Sequence, residues 1–398
     1  MNSIDHYIVA PSPWDGDGLK FRRHRIAEYL LSQSSTNAVY WIYPTSIHSL
    51  QNGKNYLGSL FSKVRINNNG LRMISFIDLK GFVKHNENGP YYEKKFISKI
   101  INNKENSKKN AKYLWFTHPA FPWLATDPNL KWDKIIYDCS DLWTSSFVKR
   151  TGIISYLENI RIKKIERAEN IIIKSANKVI ATSDFLSKKI KDKFNKEVLV
   201  VENGVEFEAF INKTLDKEIL EIFNNIPKPR LGFVGGLKHK IDFNLLFNIA
   251  RKEKFSIVLV GPITDNVPED LEKLLELENV YYLGAVKPDK VPQYMRCLDV
   301  GLLPYKEIEY NKAISPLKLF EYIAAGIPTI GCGLPMTTKY HKEGIYTHIS
   351  RNEDLFIRKC YEALNWNNEE LVKKREEAAK LHSWSSKLEK IYNYVNNL

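Results

Sequence analysis

The stretch SPLKLFE (Ser315–Glu321) spaces a hydroxyl, a cation and a carboxylate three residues apart, at Ser315, Lys318 and Glu321, and Gly326 follows shortly after. On a helix, residues three apart share a side. Ser315 suits the N-cap, Pro316 the first helical position and Gly326 the end. Leu317, Leu319, Phe320, Ile323 and Ala324 then form one apolar arc, with Lys318, Glu321 and the small Ala325 on the opposite arc. Such a helix offers a positive N-terminus, a lysine in its first turn and a carboxylate one turn deeper, a set suited to an anionic ligand. The same Lys and Glu also fit an ordinary surface ion pair worth ~0.2–0.5 kcal/mol. The spacing alone leaves both readings open.

Other chemistry-bearing residues sit where apolar runs end. GFVGGLKHK (232–240) is a strand-like run, two glycines and a basic turn. Gly235 and Gly236 allow a backbone to approach a phosphate closely, with Lys238 and Lys240 adding charge, though a plain tight turn would read the same way. VGPITDN (260–266) and LGAVKPD (283–289) are similar turns. In the first half, YDCSDLW offers Asp138 and Asp141, and WFTHPAFPW offers His118. Asp141 and His118 stand where apolar runs end, placed to do chemistry on a ligand. Against that, Asp141 also fits an N-cap of the next helix and His118 a hydrogen-bonded core-edge histidine. GDGLK (16–20) places Gly16, Asp17 and Gly18 in another turn at the end of a strand-like run, and Arg22, Arg23 and Arg25 beyond it fit a solvated face.

These turns need strands and helices to hold them. Buried-strand runs alternate with helical patterns along the whole chain: HYIVA (6–10), AVYWIYP (38–44), LRMISFI (71–77), YLWFTHP (113–119), KIIYDCS (134–140), KVIATS (178–183) and EVLVVEN (197–203), then RLGFVGG (230–236), SIVLVGP (256–262), VYYLGAV (280–286), DVGLLPY (299–305) and IPTIGCG (327–333). This is the pattern of parallel sheets covered on both faces, where ligands bind outside the carboxyl ends of the strands. Two such series in 398 residues predict an α/β protein of two Rossmann-like, doubly wound domains around a cleft: 1–205 with a returning C-terminal helix near 382–398, and 206–381. NGVEFEAFINKTL breaks the pattern near 204–228 and reads as the hinge, and Lys/Asn-rich NNKENSKKNAK (102–112) reads as a loop.

The net charge of +13 is uneven, because residues 1–206 hold 32 Lys and Arg against 20 Asp and Glu. That basic half points to an anionic partner, whether a phosphorylated substrate, an anionic membrane face or a nucleic acid; a lysine-rich composition without function is the plain alternative. No recognised nucleic-acid-binding module is present. The four cysteines are scattered without a CxxC pair, which fits reduced thiols of a cytosolic protein rather than disulfides or a zinc site. The N-terminus lacks a signal-peptide pattern, and no stretch reads as a membrane span.

The succession LGFVGGLKHKIDFNLL, FSIVLVGP, NVYYLGAVKPDKVPQYMRCLDVGLLPY and SPLKLFEYIAAGIPTI resembles the nucleotide-sugar domain of GT-B fold glycosyltransferases, particularly the family-4-like enzymes of bacterial surface-polysaccharide synthesis. VVENGVEFEAF and the HSW before the last helix fit that family as well. PSPWDGDGLKFRRHRIAEYL and IIYDCSDLW resemble teichuronic-acid-type transferases and, more loosely, the xanthan-type glucuronosyltransferase. The usual Glu-x7-Glu signature is incomplete: its second Glu aligns with Glu321, but Ala313 stands at the first. SPLKLFEY is closer to the Ser-x-x-Lys-x-x-Glu/Gln variant of the glucuronosyltransferase group.

The resemblance implies that Gly235, Gly236, Lys238, Lys240, Ser315, Pro316, Leu317, Lys318 and Glu321 bind the donor, Lys318 at the diphosphate and Glu321 at the ribose. It implies transfer of a sugar, from a UDP-sugar by preference, to a lipid-linked or growing saccharide, with Asp141 first and His118 second as the general base where the transfer needs one, and with Gly16, Asp17 and Gly18 near the donor phosphates or the acceptor. It also implies no cofactor or bound metal and no nucleic-acid partner. The expected place of work is the cytoplasm, peripheral on the anionic inner face of the plasma membrane. A GT-B epimerase and a catalytically degenerate assembly partner are the alternatives.

Overall fold

The computed structural model describes residues 3–14, 20–45, 65–68, 70–77, 85–102, 110–145, 152–212, 214–263, 269–315 and 317–397. The chain divides into two compact units, Met1–Val201 with Lys390–Leu398, and Glu202–Glu389.

The first unit holds β1 (Ile4–Val9), α1 (Arg22–Leu31), β2 (Thr36–Thr45), β3 (Arg65–Ile66), β4 (Arg72–Ile77), α2 (Tyr91–Ile101), β5 (Ala111–Phe116), β6 (Lys134–Cys139), α3 (Gly152–Ser175), β7 (Lys178–Ala181), α4 (Asp184–Phe194) and β8 (Leu199–Val200). Its sheet runs β3-β4-β2-β1-β5-β6-β7-β8, parallel except for the β3–β4 pair. All six residues of β1 are buried, as expected of a strand covered on both faces. The strand order reverses between β1 and β5, which makes the turns after those strands the crevice of this sheet.

The second unit holds α5 (Lys217–Asn224), β9 (Arg230–Val234), α6 (Phe243–Lys252), β10 (Ser256–Val260), α7 (Glu269–Leu275), β11 (Val280–Tyr282), α8 (Val291–Arg296), β12 (Val300–Pro304), α9 (Glu309–Ala313), α10 (Leu317–Ala324), β13 (Thr329–Cys332), β14 (Tyr346–His348), α11 (Glu353–Leu364), α12 (Glu369–Lys380) and the start of α13 (Trp384–Asn396). Its six strands run β11-β10-β9-β12-β13-β14, all parallel, and the order reverses between β9 and β12. Polar caps start several of its helices: Asp242 accepts from the Leu245 N–H at 3.0 Å, Asn352 from Leu355 at 2.8 Å and Asn368 from Leu371 at 2.8 Å. Each is worth ~1 kcal/mol. The segment read as a pattern-breaking hinge carries a 3-10 turn at Phe207–Phe210 and the helix α5.

The second unit is closed by its own two ends. Val205 bridges Ser383 in parallel, with the Val205 N–H donating to the His382 carbonyl at 2.9 Å and the Trp384 N–H to the Val205 carbonyl at 3.1 Å. Gly204 lies so close to Trp384 that a Cβ there would stand 2.8 Å from its backbone. Glu202 accepts from Lys339 at 2.6 Å, Tyr340 at 2.9 Å and Lys387 at 3.0 Å. Burial opposes the Glu202 charge, but these partners outweigh it and hold the carboxyl far below its usual pKa. The last turns of α13 pack in the first unit, where Tyr392 meets Ser35 at 2.7 Å and Lys134 donates to the Val395 carbonyl at 2.6 Å. No described helix is long and apolar enough to cross a membrane. All four cysteines are free and buried.

Candidate active site

In the second unit, three glycine turns converge at the carboxyl ends of β9, β10 and β11. The Gly235 N–H donates to the Val260 carbonyl at 2.7 Å, the Leu237 N–H to Pro262 at 2.9 Å and the Gly261 N–H to Gly284 at 2.7 Å. Gly261 has φ +138°, and a Cβ there would lie 2.1 Å from the Gly235 carbonyl oxygen, so only glycine fits. Gly235 has φ +156° and faces α10, since a Cβ on it would stand 3.1 Å from Lys318 Cε. The residues singled out around Gly235 and Lys318 are therefore neighbours in space.

Lys318 and Glu321 are joined at 2.7 Å, and both are largely covered, at 24% and 18% exposure of their side chains. The surface-pair geometry is thus present, but it lies beside the glycine turn rather than on an open face. Lys238 is exposed, with its stem over Gly236. The Lys240 ammonium stands 5.8 Å from each of the Tyr305 and Tyr310 rings. The buried Ser315 hydroxyl accepts the Asn203 N–H at 2.8 Å, which ties the head of α10 to the Asn-Gly-Val segment. Leu317 opens α10 and is half-buried, and Pro316 lies outside the described residues. Ala313, where the usual signature has its first Glu, is 1% exposed at the end of α9, so this position faces the interior.

The first unit brings its two candidate bases to adjacent strand ends. His118 follows β5 and Asp141 follows β6, and the two strands pair in parallel. Trp143, from the Asp141 turn, meets the buried His118 ring edge-on at 4.6 Å between centroids. The Asp141 Oδ1 accepts the Leu142 N–H at 2.9 Å. Asp141 caps no helix at this point, because residues 142–145 directly after it form a turn and not a helix. His85, which the sequence reading passed over, is buried 5.6 Å from His118 between ring centroids, and its Nδ1 lies 2.5 Å from the Pro119 carbonyl oxygen.

Arg22 corrects a second expectation. It is not solvated: it is buried and grips Asp138 with both Nε and Nη2, at 2.8 and 2.9 Å. Asp138 is thereby engaged in a two-point ion pair that ties α1 to β6. Beneath the Asp141 turn, Tyr137 donates to Glu169 at 2.6 Å, and burial raises the carboxyl and the phenol alike. Gly16, Asp17 and Gly18 lie outside the described residues. Among the described residues no group of three or more His, Cys, Asp and Glu is arranged to hold a metal ion.

Two doubly wound, largely parallel sheets with candidate site residues at the carboxyl ends of their strands define the class, and comparison with known proteins supplies the family. Residues 228–365 match the family described as glycosyl transferases group 1. Over 406 residues the chain is 35% identical to a Bacillus subtilis (strain 168) protein named as a teichuronic acid biosynthesis glycosyltransferase, TuaH, itself a provisional assignment. That likeness covers 99% of this chain and 97% of the relative. HepE of Anabaena, solved with UDP-glucose, superposes with a TM-score of 0.64 at 12% identity over 99% of this chain and 100% of that one. WaaG, a glycosyltransferase involved in lipopolysaccharide biosynthesis, does so with a TM-score of 0.59 at 14% identity over 98% and 99% of the two chains. The chain belongs to the group 1 glycosyltransferases and has their GT-B fold.

Proposed function

We propose that this transferase moves a sugar from a UDP-sugar to a lipid-linked or growing saccharide in the synthesis of a cell-surface polysaccharide, without a metal or other cofactor. One observation carries the reading: Lys318 and Glu321 sit on one helix against the Gly235–Gly236 turn at the switch point of the second sheet. An anionic diphosphate competes for Lys318 against a partner worth only ~0.2–0.5 kcal/mol. Once Lys318 turns to the phosphates, Glu321 is released to accept from ribose hydroxyls. Lys238 and Lys240 add positive potential where the leaving diphosphate gathers charge. HepE was solved with UDP, with UDP-glucose, and with UDP and glucose, which favours uridine. The names of TuaH and WaaG favour an envelope glycan as the acceptor.

Thermal-shift screening against UDP, GDP, dTDP and their sugars tests the donor. UDP is expected to raise the melting temperature most, and a larger shift with GDP or dTDP overturns the choice of base. Donor hydrolysis or transfer on the hits then separates a transferase from an epimerase, which releases an isomerised nucleotide-sugar without an acceptor. Lys318→Ala removes a charge-assisted contact worth ~1.5–3 kcal/mol, so UDP affinity measured by calorimetry should fall roughly ten- to a hundredfold. Glu321→Ala should weaken UDP and hardly touch pyrophosphate; equal losses for both ligands would move Glu321 off the ribose.

We place the work at the cytoplasmic face of the membrane, by charge. Residues 1–206 carry an excess of 12 positive charges. On α3, Tyr156 and Leu157 are 67% and 56% exposed, and exposed Lys163, Lys164 and Arg167 continue the same side of the helix at i+7 and i+11. Each basic side chain near an anionic leaflet adds ~1 kcal/mol. The protein should sediment with vesicles containing anionic lipid and leave them as salt rises, because screening acts within ~8–10 Å. Binding to neutral vesicles that survives high salt would replace charge with an apolar anchor.

A further inference from the structure

The parallel ladder between β9 and β12 is two residues long, Leu231 with Val300 and Gly232 with Gly301. Beyond it the strands part, and the phenol of Tyr322 from α10 fills the gap. Its hydroxyl accepts the Val234 N–H at 2.8 Å and donates to the Gly232 carbonyl at 3.1 Å, replacing the cross-strand partners that β12 no longer supplies. Tyr322 is 0% exposed, and its ring lies on Gly301, where a Cβ would come within 2.6 Å of the ring. The gap is the point at which the strand order of this sheet reverses.

Tyr322 directly follows Glu321 and stands one turn beyond Lys318, and Val234 directly precedes Gly235. Its two hydrogen bonds therefore join, within a residue or a turn, both elements that carry the donor contacts proposed above. The clearance between Lys318 Cε and Gly235 is too small to admit a Cβ without adjustment.

We propose that Tyr322 is a positioning residue of the donor site. Bridging Val234 and Gly232 across the open switch point, its hydroxyl sets the spacing of Lys318 and Glu321 from the Gly235–Gly236 turn and so sets the affinity for a nucleoside diphosphate. The proposal rests on the donor reading of that helix. Phenylalanine would keep the ring packed and leave one buried N–H and one buried carbonyl unpaired, which lets α10 and the turn shift to satisfy them.

The test is a double-mutant cycle on the full chain, read by calorimetry with UDP and by melting temperature. Tyr322→Phe should weaken UDP tenfold or more. In a Lys318→Ala background the same change should cost less than a further threefold, while the fall in melting temperature is the same in both backgrounds. A folded Tyr322→Phe with unchanged UDP affinity, or losses that multiply fully in the double variant, overturns the proposal. Gly301→Ala, which keeps the hydroxyl but pushes the ring aside, should reproduce the loss, and unchanged affinity there also overturns it. If neither variant folds, hydrogen exchange of the unmutated protein decides: UDP should raise protection at Val234 and across residues 319–325, and no change there overturns the proposal. Failure of the unmutated protein to bind UDP, GDP or dTDP would instead overturn the donor reading, which separates the two.

Discussion

Asp141→Asn is expected to leave UDP binding and melting temperature almost unchanged while turnover falls by roughly 10²–10⁴, the usual worth of a general base. Asparagine keeps the shape of the side chain and removes its charge. The Asp141 Oδ1 accepts the Leu142 N–H at 2.9 Å, and an Asn side-chain oxygen accepts it equally well. No helix cap is lost there, since residues 142–145 directly after Asp141 form a turn and not a helix. What disappears is the ability to take a proton from an acceptor hydroxyl. Near-normal turnover in Asp141→Asn together with a large loss in His118→Ala would move the base to His118, which Trp143 of the same turn packs against. The anomeric configuration of the product then discriminates further: inversion requires a base positioned for the acceptor, and retention does not.

Arg375→Met should cost the second unit about 3–5 kcal/mol, read as a lower midpoint in urea unfolding. Arg375 is 0% exposed, and its three nitrogens donate to the Gly326, Gly344 and Trp366 carbonyls at 2.8, 2.5 and 2.9 Å. Burial lowers its pKa to about 10, a sign of how far the guanidinium is withdrawn from water. Methionine fills the space but leaves three buried carbonyls unpaired, at ~1–3 kcal/mol each, partly offset by the charge no longer being buried. Lysine should not rescue, because a point charge cannot reach three diverging carbonyls as the planar fork does. A loss below about 1 kcal/mol would mean that water replaces the guanidinium at these carbonyls.

What the sequence made legible follows from what periodicity can report. β1 and β10 are buried along their full length, so their apolar runs stand out, and the alternation with helices gave both sheets. β14 is three residues long, too short for any pattern. α12, EELVKKREEAAK, hides from a search for apolar stripes because the largest side chain it buries is Arg375. Lys318 and Glu321 were legible because both lie within one turn of one helix. The Arg22–Asp138 pair was not, since 116 residues separate two polar side chains that only the folded sheet joins. Tyr322 falls outside the apolar arc of α10, yet that helix is covered nearly all round, so the arc understated its burial. The Ser315 hydroxyl illustrates the remaining kind of gap: a good N-cap residue by type, it accepts a hydrogen bond from Asn203, in a segment over a hundred residues away.

The seam formed by Glu202–Val205 and His382–Lys387 bears on how the donor half could be taken as a separate piece. A fragment cut at 206–381, where the strand pattern alone would divide it, starts after Glu202, Gly204 and Val205 and stops before Ser383, Trp384 and Lys387. It would also take away the Asn203 amide bound by Ser315 at the head of α10, and the His382 ring stacked 4.1 Å from Phe320 of that helix. The compact second unit runs instead from Glu202 to Glu389, bounded by the residues that grip one another, and α13 continues past it into the first unit. Tags and fusions belong outside that seam, and trimming inward from the carboxyl terminus reaches the His382 contact with α10 before it reaches any strand.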